Sequence, residues 1–298
     1  MVIANFMAGN RLVPAWLKHA PDTGLTVVDL IAPFFVIAIG LTIVASTRAR
    51  ADRDGRLSAV RHVVIRYLAI LGIGAIISGG EQLVGVSDEA YVWGVLQSIG
   101  VAGLLMVPVL FAPTSIRLAY GAVLLIAFQL GSAAGWSEIV FAWSHGGLPG
   151  SISWAAMLAF ATVFPDIGRR HRLMVPAVSL LYLGAGAALA LVVAISKNRV
   201  SASYVLVSTG AGGLLYTLFL LTQRVRAKGQ GILVWWGRNP LLLYLTHYLL
   251  LALVVLPNSR SWYVEAPAWL LLLQGVVLIG ILTGVAWFLS RRELVIKL

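Results

Sequence analysis

The chain has 298 residues, of which 60% are hydrophobic and 11% charged, and its mean hydropathy is +0.92. So little polar surface excludes a soluble globular domain and makes the chain a polytopic membrane protein. It has no cysteine, which excludes disulfides, thiolate metal sites and cysteine nucleophiles, and its formal charge of +11 is spread over short loops without interleaved aromatics, which argues against nucleic acid as a partner.

In chain order, apolar segments run over about 1–9, 25–46, 63–79, 92–112, 116–134, 151–166, 173–195, 203–222, 232–256 and 267–289. Most have the roughly 17 to 25 residues that cross a bilayer as a helix. The pattern predicts an all-α transmembrane helix bundle of about ten spans. No internal repeat, low-complexity tract or long linker divides it, so residues 1–298 read as one domain. The sixth segment is short and must borrow length from its flanks. The first would reach only about 14 Å as a helix, less than half the hydrocarbon thickness. The expectation is that the N-terminal half of this helix lies upstream, in about 12 to 20 further residues.

Lysines and arginines set the orientation. With the 47–62 loop in the cytoplasm, seventeen of them fall on or near the inner face, and only Arg11, Lys18, Lys197, Arg199 and Arg260 fall outside. By the positive-inside rule the C-terminus is cytoplasmic, and His19, Glu81, Asp88, Glu89, Glu138 and His145 are external. The basic rim attracts anionic membrane lipid and also suits a polyphosphorylated cytosolic ligand such as a coenzyme A thioester.

Polar residues are expensive inside spans and mark partners or cavities. The stretch Trp16-Leu17-Lys18-His19-Ala20-Pro21-Asp22-Thr23-Gly24-Leu25-Thr26-Val27-Val28-Asp29 puts a histidine in a surface loop and a carboxylate in the first turns of the following helix, which Thr23 or Thr26 can cap. Such a pair is suited to proton or acyl transfer, although a loop histidine is also often a bystander. Asn5 lies in the first short segment. Gln97 and Gln129 suit interhelical hydrogen bonds. Asn239 and His247, eight residues apart, would be about 12 Å apart along one helix, with Tyr244 between them. His145 sits in the glycine-rich loop Ser144-His145-Gly146-Gly147-Leu148-Pro149-Gly150. The five histidines lack ligand spacing, so no metal is expected.

Three stretches carry a resemblance: Trp16-Leu17-Lys18-His19-Ala20 through Gly24-Leu25-Thr26-Val27-Val28-Asp29-Leu30 with Pro33-Phe34-Phe35-Val36 and Gly40; Gly94-Val95-Leu96-Gln97 with Gly100; and Gly237-x-Asn239 with Leu242, Tyr244 and His247. In that order they resemble the heparan-α-glucosaminide N-acetyltransferase family and its bacterial relatives of unassigned substrate. Ser98 stands where that family usually has an arginine, and the family's Asp-x-x-Arg-Gly-type opening motif is absent. The resemblance implies a membrane acyltransferase that takes acetyl groups from cytosolic acetyl-CoA and passes them to an amino sugar or envelope glycan beyond the membrane, here the inner membrane of a bacterium. It implies that His19 is the general base or transient acyl acceptor and that Asn5 holds the reacting carbonyl or imidazole. Asp29 would orient and stabilise the imidazole by the reading of the residues themselves. Gln97, Asn239, Tyr244, His247 and His145 are the candidate substrate contacts, and a homo-oligomer is compatible with the reading. The competing class is a proton-coupled transporter or flippase, which would also use mid-membrane Asn239 and His247.

Overall fold

A computed structural model describes residues 1–83, 93–141, 143–222, 231–255, 257 and 260–296. Among these residues all regular secondary structure is helical, with α1 (Val2–Ala8), α2 (Ile31–Asp54), α3 (Arg56–Leu83), α4 (Val95–Leu105), α5 (Thr114–Gly131), α6 (Ser137–Phe141), α7 (Gly147–Ala161), α8 (Val163–Arg170), α9 (Met174–Leu189), α10 (Ala202–Thr222), α11 (Ile232–Arg238), α12 (Pro240–Val255) and α13 (Ala268–Arg291). They form two compact units. One comprises Met1–His19, Thr26–Val28 and Gln223–Leu298, and the other Ala20–Leu25 and Asp29–Thr222.

Among the described residues, six helices are long and apolar enough to cross a membrane, or seven if the bent pair α11 and α12 makes one span. The expected ten is not confirmed: α1 has seven residues, and two further apolar runs yield short helices, Val95–Val109, which ends in a 3-10 turn, and Met174–Leu189. The sixth apolar segment does gain length from its flanks, forming a candidate span over Ser144–Arg170. Asp88 and Glu89 lie outside the described residues, as do Arg224, Arg226, Lys228 and Lys297.

The larger unit is built around α7. This helix packs against α2, α4, α5, α8 and α10, and most of its residues are buried. Its sequence, GLPGSISWAAMLAFA, explains why: glycine, serine and alanine let neighbouring backbones approach closely, which is how helices associate where lipid removes the hydrophobic drive. Gly40 of α2 faces Ala161 so closely that an added Cβ would meet the alanine methyl at 2.5 Å, and Gly121 of α5 meets Ala159 and Phe160 in the same way. The two glutamines bridge helices as expected. Gln97 donates to Ser78 Oγ at 3.2 Å and Gln129 accepts the Ala202 N–H at 3.3 Å.

The smaller unit packs Phe6, Leu243, Tyr263, Leu278, Leu282 and Ala286 into one core. Here α11 and α12 meet at a 91° bend on Asn239. A residue before proline is pushed out of helical geometry, and Asn239 precedes Pro240. The reading of residues 232–256 as one straight span is therefore corrected. Asn239 sits at the break, its amide donating to Leu294 O at 2.8 Å and accepting the Ile296 N–H at 2.8 Å.

Candidate active site

In the larger unit, Val28–Leu30 makes a 3-10 turn that leads into α2 and points Asp29 inward. No side chain caps α2 at its N-cap, Leu30. Asp29 is fully buried. Its carboxylate accepts the Ala20 N–H at 3.1 Å and lies 3.8 Å from Lys197 Nζ, and its carbonyl accepts the Tyr204 hydroxyl at 2.7 Å. Burial pushes the Lys197 ammonium below the usual lysine range, and Asp29 pulls it partway back. Tyr204 stacks edge-on against Trp154, whose indole N–H donates to the His145 carbonyl at 3.3 Å. His145 is half-buried with φ +57°, a left-handed backbone, and its ring meets Trp154 edge-on at 6.1 Å. Residues 20–25 and Asp29 thus assemble with the loops around 143–150 and 195–201 at one end of this unit.

Further along α2, at Arg48, about 28 Å away along the helix axis, the environment is different. A cavity of about 800 Å³ is lined by Arg48, Arg117, Arg169 and Arg170, with Asp166, Phe111 and the first residues of α5, Thr114 and Ser115. Arg117 is buried. Its guanidinium donates to Ala112 O at 3.3 Å, Thr162 O at 3.2 Å and Thr114 Oγ1 at 3.3 Å, and also to the Asp166 carboxylate. Arg48 donates to Ala112 O at 3.0 Å, and Arg56 stacks on Phe111 at 4.5 Å. Four guanidiniums against one carboxylate leave the cavity strongly positive, and it is mouthed by a helix N-terminus, an arrangement that attracts phosphate.

The smaller unit holds the remaining candidates. Tyr244 O accepts a hydrogen bond from His247 Nδ1, so Nδ1 carries the proton and Nε2 is the acceptor for the Asn5 amide, Nδ2 to Nε2 being 3.0 Å. This turns Asn5 Oδ1 away from the ring. The Tyr244 hydroxyl donates to Tyr248 at 3.1 Å, and both rings flank the imidazole within 5.0 Å. The end of α1 is strapped to the 263–266 segment. Asn10, buried, donates to Tyr263 O at 2.5 Å, the Tyr263 hydroxyl donates to Phe6 O, and Arg11 pairs with Glu265 at 2.8 Å. His19 is exposed, two residues beyond a 3-10 turn over Ala15–Leu17. The preceding Lys18 is fixed through Nζ to Asn10 O at 2.6 Å, and its carbonyl accepts the Thr26 hydroxyl at 2.8 Å.

The structure therefore brings Asn5, Tyr244 and His247 together, and separately gathers Asp29 and His145 around Trp154 and Tyr204. Gln97 and Asn239 engage their side chains in local structure: Gln97 Oε1 takes the Gly94 N–H at 2.8 Å at the start of α4. Ser98 donates to Gly94 O and accepts the Trp93 indole N–H at 2.9 Å. Sequence reasoning missed Lys197 as the partner of Asp29, and it missed Arg117 as a buried cation. The available signal for Arg117 was its place within the apolar run 116–134. Among the described residues no three His, Asp or Glu side chains converge to hold a metal.

Comparison with known proteins bears on the same residues. The family described as heparan-alpha-glucosaminide N-acetyltransferase, catalytic, matches residues 1–168. Mouse heparan-alpha-glucosaminide N-acetyltransferase is 33% identical over 104 residues, 34% of this chain and 15% of the mouse protein, so the likeness spans a small part of that relative's length.

Proposed function

We propose an acyltransferase, because the chain belongs to the heparan-alpha-glucosaminide N-acetyltransferase catalytic family. It takes an acetyl or other short acyl group from acyl-CoA in the cytosol and delivers it to an amino sugar or envelope glycan on the outer face of a bacterial plasma membrane. The observation that carries this is the match over residues 1–168, which contains Asn5, His19 and Asp29. In the reaction the acceptor nitrogen or oxygen attacks the thioester carbonyl. A carbon–nitrogen or carbon–oxygen bond forms, the carbon–sulfur bond breaks, and the acceptor's proton ends on the departing thiol. His19 moves that proton as general base or carries the acyl group between the two partners. Asn5, with its amide nitrogen bonded to His247, presents its oxygen elsewhere, and Asp29 acts through the Ala20 peptide and Lys197. Tyr244, His247 and His145 are proposed substrate contacts.

The basic cavity supports the donor side of this reading, since its arginines suit the phosphates of coenzyme A. The basic ends also support the orientation. Arg48, Arg56, Arg117, Arg169 and Arg170 gather at one end of the larger unit, and Arg238 reaches Ser290 beside Arg291 and Arg292 in the smaller. By the positive-inside rule these ends, and the C-terminus, face the cytosol. In this reading the short helices α4 and α9 also cross within the bundle, bringing the count towards ten, and the whole chain works as one domain.

The test is acetyl-CoA binding and acetyl transfer measured on the same purified protein, with glucosamine as acceptor. Binding should weaken as salt rises and weaken further in Arg169→Gln with Arg170→Gln. His19→Ala should bind normally and transfer nothing. Full transfer by His19→Ala, or no acetyl-CoA binding by the parent protein, would overturn the proposal.

A further inference from the structure

Residues 195–199 lie beyond the matched 1–168, yet the larger unit directs them onto the segment that follows His19. Asp22 receives Arg199 Nη2 at 2.5 Å, Arg199 Nε at 3.4 Å and the Ser196 hydroxyl at 3.1 Å. The Asn198 amide donates to Pro21 O at 2.9 Å, and the Gly24 N–H donates to Ile195 O at 2.8 Å. Lys197 meets Asp29, which in turn holds the Ala20 N–H, the amide of the peptide bond that His19 itself contributes to. Every residue from 195 to 199 thus reaches residues 20–29.

The loop that makes these contacts is itself braced. Its ends close through Ser201 N to Ser196 O at 3.1 Å and Ser196 N to Ser201 Oγ at 3.0 Å. Val200, fully buried, sits at φ +49°, a region that a β-branched residue enters only under constraint, and Ser153 of α7 donates to its carbonyl at 2.8 Å. On the other side, Gly24 at φ +110° adopts a backbone that side chains rarely allow, which aims its N–H at Ile195. Half-exposed pairs such as Asp22–Arg199 contribute little to stability. Their combined geometry instead fixes the course of residues 20–25, to which His19 is joined by a peptide bond, and a reacting group misplaced by an ångström loses on the order of a hundredfold in rate.

We propose that residues 195–199 form a clamp that holds residues 20–25, the stretch that continues the chain directly from His19, with Arg199 and Lys197 as positioning residues for acyl transfer. This rests on the acyltransferase reading and on His19 as its reacting imidazole. Neither residue touches the substrate.

Charge reversal tests it. Asp22→Arg and Arg199→Asp should each lower kcat about tenfold or more, in line with that sensitivity to position, and leave acetyl-CoA affinity within about twofold, while the double reversal restores most of the turnover. Lys197→Met should behave like the single reversals and Lys197→Arg should recover. Hydrogen exchange at the Ala20 and Gly24 amides, read by mass spectrometry on overlapping peptides that begin at least two residues before Ala20 and extend through Leu25, should speed up in each single variant and slow again in the double. Asp22→Asn serves as a milder single should a reversal fail to fold. Unchanged exchange in the singles overturns the clamp whatever the activity. Faster exchange with undiminished kcat overturns its positioning role while the acyltransferase reading stands. A parent protein that binds acetyl-CoA but transfers nothing to any acceptor tried overturns both.

Discussion

The larger unit carries a carboxylate–cation pair at each end of α2, and the two are built on opposite principles. At one end Arg117 is 1% exposed and Asp166 23%, and the guanidinium meets four acceptors in a fixed fork. At the other, Asp29 is 0% exposed and Lys197 14%, with the ammonium 3.8 Å from the carboxylate. Arginine cannot shed its proton, so its burial is tolerable only with its donors satisfied. Lysine can, and burial holds the Lys197 ammonium below the usual lysine range although Asp29 opposes the shift. The first pair is permanent framework. The second is adjustable, and its carboxylate holds the Ala20 N–H, one residue after His19.

The largest expected effect comes from breaking the framework pair. Arg117→Met leaves Asp166 without its cation and should destabilise the protein by about 3–5 kcal/mol, read as a lowered unfolding midpoint in detergent. A loss below about 1 kcal/mol, the range of solvated pairs, would mean that the pair is hydrated rather than buried. Asp29→Asn should be less severe, about 1–2 kcal/mol, because Lys197 can go neutral and the new amide oxygen still accepts the Ala20 N–H. Its turnover should fall further than its stability. Equal destabilisation by Asp29→Asn and Arg117→Met would erase the distinction between the two pairs.

A smaller effect is the pH dependence. The folded-state pKa of Lys197 lies below its unfolded value, so between the two the unfolded chain holds a proton that the folded chain has released. Stability then rises with pH across that window, and the desolvation penalty is fully present below it. Lys197→Arg, which stays charged, should abolish this alkaline gain, as measured by unfolding midpoints from about pH 7 to 10, the range below the ordinary lysine pKa. The smallest effect belongs to Arg169→Gln at the cavity wall. Its stability should stay within about 0.5 kcal/mol of the parent while acetyl-CoA affinity and its salt slope both decrease.

The comparison also shows what one sequence can reveal. Asp29 is legible because a lone acid in an apolar run has to be explained. Lys197 is not, because its pairing is tertiary and it reads as one of five external cations. Arg117 reads as a topology marker, since periodicity cannot distinguish a rim guanidinium from one folded back under its own helix. The α11–α12 break is written in Asn239-Pro240, but the apolar run on both sides masks it. The shortness of α4 and α9 leaves no mark, because apolar residues continue past both helix ends. The Asn5–His247 contact joins the first helix to the twelfth, and no local pattern encodes it. Its members nonetheless stand out singly, on the expense of polar groups in a membrane.

The small-residue character of α7 bears on how variants of this protein should be judged. Ala155, Ala156, Ala159 and Ala161 are each 0% exposed, with neighbouring helices on several faces. Replacing any of them with leucine raises hydropathy and looks benign to any scale that ranks membrane residues by polarity. Yet the added methylenes have nowhere to go, and overpacking of this kind costs about 1–3 kcal/mol per site. In this helix bulk, rather than greasiness, decides which substitutions survive, and a mutational scan should find its least tolerant positions among its most innocuous-looking residues.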